Sequence, residues 1–412
     1  MIFRTMELRK QIVINTTGNI IYLAALWSLT VVVTWTIGYE GTGILMIAMA
    51  VGNVIAMVQM YGVRNYQSSD VAFRYSSRDY LRSRIVTITI GFLGGFAICF
   101  LLGYTWETIS VVMAFILLKS SEAFSDVLFG NDQRAGYLEY AGYSMASRGI
   151  IVFLLFSAGA IVLKSLFLAM IISALGGVVL SFSVDVPLHN KTMKKIQPAR
   201  DRGVFGIIKE CFPLFIMTII PAVIAAVPRI VLGRCQGTVI LGLYGNVSTP
   251  ALLLTTIVPT ILTALLPSYG EAVRDNNRYG IYCLLNKSIA IVLLLTCVCA
   301  LGILLVGKTV LATVYTDEII PYVGYLYYLL IAMMLYTITM CNNAVFIAYR
   351  NNWEMTIIAG ITLMICATIS LPLVMSYGIM GAILSLGIPY AIEVLLQIIW
   401  IHKRLLREEA KE

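Results

Sequence analysis

The sequence predicts an all-α polytopic membrane protein of about twelve transmembrane helices, arranged as two six-helix lobes. Apolar runs of about twenty residues recur along the chain, and each is long enough to cross a membrane. Charged residues make up only 12% of the 412 residues, about half of what an ordinary soluble domain carries. Lysine and arginine are concentrated in alternate loops, as in chains that cross a membrane repeatedly.

We expect the apolar runs to be helices. A helix rises about 1.5 Å per residue, so about twenty residues cross a hydrocarbon core of roughly 30 Å. Backbone groups in lipid must be hydrogen-bonded internally, and the sequence lacks the alternating pattern of a transmembrane β-barrel. The predicted spans lie near residues 12–34, 42–62, 85–104, 108–128, 143–163, 166–184, 211–232, 239–266, 285–306, 322–347, 354–374 and 378–400.

The distribution of positive charge predicts the topology. With the N-terminus inside, the outer loops receive only four of the 29 lysines and arginines, namely Lys164, Arg229, Arg234 and Lys308. This asymmetry predicts that both termini are cytoplasmic. The net charge of +8 is therefore a topology signal, and we expect no nucleic-acid partner. The basic start leads into a run too long for a signal-peptide core, so we expect no cleavable signal peptide.

Loop lengths and one basic segment predict the domain organisation. Residues 186–210 are basic and contain two prolines, so we interpret them as a cytoplasmic linker. This linker separates an N-terminal six-helix lobe, residues 1–185, from a C-terminal six-helix lobe, residues 211–412. Six of the eleven prolines fall between residues 213 and 267, and we therefore expect the seventh and eighth spans to be bent.

Residues for common catalytic chemistry are scarce. His189 and His402 are the only two histidines and are far apart in the sequence, with no cysteine or carboxylate cluster beside them. We therefore predict no metal site and no cofactor. Neither a GxxxxGK[ST] phosphate loop nor a GxSxG elbow occurs. The outer loops are also too short for the external domain of a glycan polymerase or ligase, so transport is favoured over catalysis.

Polar side chains inside a membrane are costly and are therefore candidates for function. Asn15 and Asn19 share one helix face with Tyr22, and Asn53 and Asn246 lie in the second and eighth spans. These amides either join helices by hydrogen bonds or line a hydrated lumen that binds sugars.

Acidic residues within the spans are candidates for ion coupling. Lys119, Glu122 and Asp126 share one face of the fourth span. They form either a self-neutralised cluster or a site coupled to protons or sodium. Glu393 stands alone in "YAIEVLLQIIW", so it is either paired with a cation elsewhere in the fold or titrates.

Three arginines are candidates for substrate binding. Arg64 and Arg148 lie at cytoplasmic helix ends, where the positive-inside rule also explains them. That rule works against Arg229, which is predicted near the outer interface. Its side chain either reaches lipid headgroups or holds an anion, for which arginine offers bidentate geometry to phosphate.

Two stretches resemble a known family. In residues 36–70, Gly38, Glu40 and Gly43 form a G-x-E-x-x-G turn before the second span, and "GVR" at 62–64 ends that span. In residues 227–250, a Pro–Arg helix end precedes a Gly-x-Tyr step, although Ile230 stands where the family has an aromatic residue. The sequence thus resembles the oligosaccharide-flippase branch of the multidrug/oligosaccharidyl-lipid/polysaccharide exporter (MOP) superfamily.

The resemblance implies a V-shaped pair of lobes around a central cavity that opens to one side at a time. It implies a bacterial cytoplasmic-membrane protein that turns an undecaprenyl-pyrophosphate-linked oligosaccharide to the outer leaflet. Such a protein would contact membrane lipids, a coupling H⁺ or Na⁺ ion, and other polysaccharide-assembly proteins. Arg229 would then meet the pyrophosphate. The main alternative is a drug exporter of the same superfamily, but no acidic residue occurs between Glu7 and Glu40 to bind a cationic drug.

Overall fold

In the computed structural model, all the secondary structure of the described residues, 2–70, 74–193 and 203–409, is helical. The helices are α1 (Ile2–Thr36), α2 (Tyr39–Met60), α3 (Val63–Ser69), α4 (Ser77–Leu101), α5 (Trp106–Arg134), α6 (Glu139–Leu163), α7 (Leu166–Leu180), α8 (Val186–Met193), α9 (Val204–Gln236), α10 (Thr238–Ser248), α11 (Leu252–Arg274), α12 (Arg278–Gly302), α13 (Lys308–Val314), α14 (Tyr325–Ala348) and α15 (Asn352–Glu409). The predicted all-α fold class is confirmed.

Helices cover all the predicted spans, with local departures from regular geometry. The π-helical turns Ser181–Asp185 and Ile303–Gly307 join α7 to α8 and α12 to α13. The eighth span is broken between α10 and α11, next to Pro250, which cannot donate a backbone hydrogen bond. Gly378, with φ of 54° and ψ of −124°, kinks α15 and separates the predicted eleventh and twelfth spans.

Nine helical stretches of the described chain are long and apolar enough to cross a membrane. The fourth predicted span, α5, is not among them, and it carries Lys119, Glu122 and Asp126 within its apolar run. Lys119 and Glu122 are buried in the protein. Their charges therefore face other protein groups and not the lipid, where they would be unfavourable.

The chain forms two compact units, Met1–Ala222 and Val223–Glu412, which we call unit 1 and unit 2. The boundary between them lies within α9. The predicted lobes 1–185 and 211–412 and the linker 186–210 stay predictions. Residues 194–202 of that linker lie outside the described part of the chain, and its first residues form α8.

Unit 1 is built around α5, which packs against α2, α4 and α7. Beside it, α1 packs along α6 at very short range. A Cβ atom at Gly18 or Gly142 would overlap the backbone of the facing helix, and one at Gly149 would lie 2.9 Å from the Cα of Tyr22. These glycines therefore let the two backbones touch, as small residues do in membrane helix pairs.

Unit 2 is built around α14, which packs against α11, α12 and α15. Aromatic side chains fill this contact. Phe346 and Trp400 stack with ring centroids 4.1 Å apart, and Tyr336 and Tyr390 approach to 5.0 Å.

Candidate functional site

Charged side chains are gathered inside unit 1, mostly along α5. At the first position, the Lys119 ammonium lies 3.0 Å from the Glu122 carboxylate, and the Tyr22 hydroxyl donates to the same carboxylate. Lys119 also lies 3.2 Å from the Tyr22 oxygen. The acid, the base and the hydroxyl thus satisfy one another, as burial requires. This geometry matches the self-neutralised alternative for Glu122, whose ion-coupling role stays a prediction.

Asp126, one turn further along α5, binds two arginines instead of joining that cluster. Its Oδ1 lies 3.3 Å from Nη1 of Arg64, and its Oδ2 lies 3.0 Å from Nη2 of Arg84. The side chain of Arg64 is 28% exposed, whereas that of Arg84 is completely buried. Two cations therefore share one carboxylate, which leaves a local excess of positive charge.

Arg148 on α6 is sealed inside unit 1. Its Nη2 lies 3.2 Å from the Asp185 carboxylate, and both side chains are completely buried. The π-helical turn Ser181–Asp185 brings Asp185 to this position. Arg148 also donates to three hydroxyls, those of Ser121, Ser125 and Ser181, at 2.6 to 2.8 Å. Because all these partners belong to unit 1, the geometry of Arg148 is that of a residue that stabilises the unit internally.

Two further polar clusters lie where α3 meets α4. Asp70 accepts from the Tyr80 hydroxyl at 3.0 Å and pairs with Arg134 at 3.5 Å. Nearby, Glu210 at the start of α9 accepts from Tyr66 and Tyr75 and pairs with Arg74 at 3.3 Å. The hydrogen bond to Tyr66, and then the charge of Glu210, raise the pKa of the exposed Arg74 guanidinium.

The predicted amides do not form one lining. The Asn19 side chain donates to the Asn15 carbonyl one turn earlier at 2.8 Å. Both are half-buried, whereas Asn53 on α2 is exposed. Asn246 is completely buried in α10 of unit 2. Their role in sugar binding stays a prediction.

Glu393 lies in a buried network of amides in unit 2. The side-chain nitrogen of Gln397 donates to Glu393 at 3.3 Å and to Asn343 at 3.0 Å. Asn342 donates to the Gln397 oxygen at 3.0 Å, and the Thr362 hydroxyl also contacts Glu393. Among the described residues, no Lys, Arg or His forms an ion pair with this carboxylate. Of the two predicted alternatives for Glu393, a basic partner is therefore not found among the described residues.

Arg229 is half-buried on the part of α9 that belongs to unit 2. Its guanidinium lies within hydrogen-bonding reach of the buried Tyr244 hydroxyl. Both predicted roles, interface anchor and anion contact, stay open for this residue.

No group of three or more metal-ligating side chains occurs among the described residues. His189 instead pairs with Asp132 at 3.2 Å, and Thr192 donates to the same carboxylate. The described clusters therefore offer paired carboxylates, guanidinium groups and hydroxyls as their polar groups.

Arg84 and Asp185 are the important residues that the sequence analysis did not single out. Arg84 falls between the predicted second and third spans, 42–62 and 85–104, but α4 begins at Ser77 and buries it. One signal was available for Asp185. Ser121 and Ser125 are spaced four apart on α5, and two hydroxyls on one face of an apolar span favour a polar partner on a neighbouring helix.

Solved structures share this fold. An inward-facing multidrug resistance MATE family transporter of the MOP superfamily aligns with a TM-score of 0.75 and 16% identity, over 95% of this chain and 99% of that one. A MOP superfamily transporter from Pyrococcus furiosus aligns with a TM-score of 0.66 and 16% identity, over 96% and 95%. Lipid II flippase MurJ in an inward closed conformation aligns with a TM-score of 0.67 and 14% identity, over 98% and 89%.

Sequence comparison identifies the family. No curated protein matches the chain. The family described as lipid II flippase MurJ matches residues 142–412, which is more than half of the sequence. The expectation of a MOP-superfamily protein is confirmed. The chain is a multi-pass membrane protein with the MOP transporter fold, and it belongs to the lipid II flippase MurJ family.

Proposed function

We propose that this protein is a transporter that turns an undecaprenyl-pyrophosphate-linked oligosaccharide from the cytoplasmic to the outer leaflet by alternating access. It would act in the bacterial cytoplasmic membrane, with both termini in the cytoplasm, and serve the assembly of a surface glycan. Membership of a lipid II flippase family supports a lipid-linked substrate, and the oligosaccharide is what the resemblance of residues 36–70 and 227–250 implies.

The observation that carries this proposal is the arrangement of Arg64. Its guanidinium is partly exposed and shares Asp126 with a second arginine. A partly exposed cation beside local excess positive charge suits a pyrophosphate, since arginine binds phosphoryl oxygens through two parallel hydrogen bonds. The remaining buried arginines, Arg148 and Arg134, each have a carboxylate partner inside unit 1.

Glu393 is the proposed coupling site for H⁺ or Na⁺. A carboxylate buried in a membrane protein must be neutralised by a proton, a metal ion or a basic side chain. Its partners are the amide of Gln397 and the hydroxyl of Thr362, which leave its charge uncompensated. We propose this residue ahead of Glu122 and Asp126, whose charges are already paired.

Complementation in two bacterial strains tests the substrate. One strain is depleted of its lipid II flippase, and the other lacks a polysaccharide flippase. We expect wild type to restore surface glycan in the second strain. Rescue of the first strain alone would replace the oligosaccharide by lipid II. Rescue of neither would overturn the proposal.

Arg64→Ala and Arg64→Lys test the site at matched membrane expression. We expect alanine to abolish rescue and lysine to restore it in part, because lysine keeps the charge but loses the bidentate geometry. Arg78→Ala, which removes an exposed arginine of the same unit, is the control and should rescue fully. Full rescue by Arg64→Ala would remove Arg64 from the site. In the same assay, loss of rescue by Arg229→Ala would favour an anion contact over an interface anchor.

The second candidate function is cation-coupled multidrug export. The TM-score of 0.75 to a multidrug resistance MATE family transporter favours it, although 16% identity shows the fold alone. Ethidium efflux from cells that express the protein distinguishes the two candidates. Efflux together with failure to rescue either strain would favour the exporter.

A further inference from the structure

The two arginines that share Asp126 differ in how firmly they are held. Arg84 is completely buried and bonds the Gln59 carbonyl at 2.5 Å in addition to Asp126 at 3.0 Å. Arg64 makes the longer contact with Asp126, at 3.3 Å, and keeps 28% of its side chain exposed. Arg84 is therefore a fixed partner of the carboxylate, whereas Arg64 is the one that can exchange.

The backbone places Arg64 at the edge of this cluster. Tyr61 and Gly62 have φ values of 50° and 65° and separate α2 from α3. A side chain at position 62 would meet Leu214 of α9 at 2.8 Å. The guanidinium of Arg64 lies 5.8 Å from the centre of the Phe129 ring, so this ring limits where it can move.

Charge balance allows the exchange. If Arg64 leaves Asp126 to bind an external anion, Arg84 still neutralises the carboxylate. Without Arg84, the same movement would strand a largely buried negative charge, which is strongly unfavourable. Arg64 would then remain paired with Asp126 and could not bind the external anion.

We propose that Asp126 is an internal stand-in for the pyrophosphate of the substrate, and that Arg84 is the positioning residue that lets Arg64 exchange one for the other. Asp126 holds Arg64 when the site is empty. The incoming pyrophosphate displaces it, and its return favours release of the phosphate. Arg84 touches no substrate. This inference rests on the proposed function, because it presupposes that Arg64 binds a pyrophosphate.

The consequence is a distinctive pattern of affinities. Arg84→Gln should weaken pyrophosphate binding roughly tenfold, a size typical of coupled residues in contact, although Arg84 lies outside the contact. Asp126→Asn should strengthen binding, because it removes the competitor. In the double variant, Asp126→Asn should restore the affinity that Arg84→Gln loses, since no carboxylate remains to hold Arg64.

Calorimetric titration of the purified full-length protein with farnesyl pyrophosphate measures these affinities, and thermal unfolding of each variant runs in parallel. Arg134→Gln is the matched control, because it also removes a buried arginine from a carboxylate in unit 1. We expect it to lower the melting temperature without changing the affinity. Inorganic pyrophosphate serves as a second probe, which separates phosphate recognition from binding of the isoprenyl chain.

Each outcome decides between the two proposals. Unchanged affinity in Arg84→Gln, or a double variant no tighter than Arg84→Gln, overturns the exchange while leaving Arg64 in the site. If Arg84→Gln does not fold, the single variant Asp126→Asn decides, and weaker binding than wild type overturns the proposal. If wild type binds neither probe, or Arg64→Ala binds as wild type does, the proposed function fails and the exchange fails with it.

Discussion

Single residues show how unit 1 keeps full charges inside a membrane-spanning bundle. Arg148 has a carboxylate and three hydroxyls as partners, all contributed by the same unit. Such a pair adds little net stability when complete, but removing one partner leaves the other charged, buried and alone. Each of the two charges, on Arg148 and on Asp185, is therefore tolerated only while the other is present.

We expect Arg148→Met to lower the free energy of unfolding by about 3–5 kcal/mol, the usual cost of breaking a buried pair. The double variant with Asp185→Asn should recover part of this loss, because no buried charge then remains. Denaturant unfolding in detergent measures both. Arg274→Ala is the control, since its pair with Asp275 is largely exposed and is therefore screened by solvent. Equal stability of Arg148→Met and the control would refute the prediction.

Single residues also show what the sequence could not reveal. Burial of Arg84 depends on Gln59 and Asp126, which lie 25 and 42 residues away in the chain. A charge near the end of an apolar run is indistinguishable from a surface anchor until these partners are located. By contrast, the shared face of Lys119 and Glu122 follows from their spacing alone, and the structure confirms it.

At the scale of elements, the close contact of α1 with α6 rests on glycines. A side chain at Gly142 would overlap the backbone of α1 near Ile14 and Asn15. The contact between α1 and α6 cannot accommodate a larger side chain, because protein interiors are already close-packed. The two helices would have to separate, and Tyr22 would move away from Glu122.

Gly142→Leu should therefore lower the free energy of unfolding by more than about 3 kcal/mol, at the upper end of overpacking costs. Gly94→Ala is the matched control. Gly94 lies in α4 with open space around it, so alanine should be neutral or stabilising by up to about 1 kcal/mol. Thermal melting of both variants in the same detergent measures the difference. Similar melting temperatures would show that α1 and α6 can separate without cost.

Most helices could be predicted from apolar length, because a membrane span needs a fixed number of residues. The breaks between the helices were harder to predict from the sequence. Proline marked the interruption near Pro250, but no residue type announces the π-helical turn at 181–185. That turn brings Ser181 and Asp185 to Arg148, a tertiary contact that the local sequence does not reveal.

For the whole molecule, the question is how an ion gradient could drive transport. The buried Glu393 takes part in none of the described ion pairs, and its hydrogen-bond partners are neutral. A cation that binds there adds a free energy that depends on its concentration. Transport can draw on a gradient only if binding of this cation differs between the conformations of the cycle.

We expect Glu393→Gln to abolish the response of translocation to an imposed proton or sodium gradient, because glutamine stays neutral without a cation. Proteoliposomes with a fluorescent undecaprenyl-pyrophosphate-linked glycan measure this response. Glu271→Gln removes an exposed carboxylate of unit 2 and should respond as wild type does. A Glu393→Gln protein that still follows the gradient would place coupling elsewhere.

The buried pair of Arg148 on α6 with Asp185 after α7 also constrains how the chain is made. During synthesis, Arg148 emerges before Asp185, its partner 37 residues later. An unpaired arginine is unfavourable when a helix passes alone from the insertion channel into lipid, by up to about 2.5–3.5 kcal/mol at the membrane centre. Ser121 and Ser125 of α5 emerge earlier and can accept hydrogen bonds from Arg148 until Asp185 arrives. Helix α6 should therefore remain beside the channel, against α5, until the ribosome has delivered the following helix.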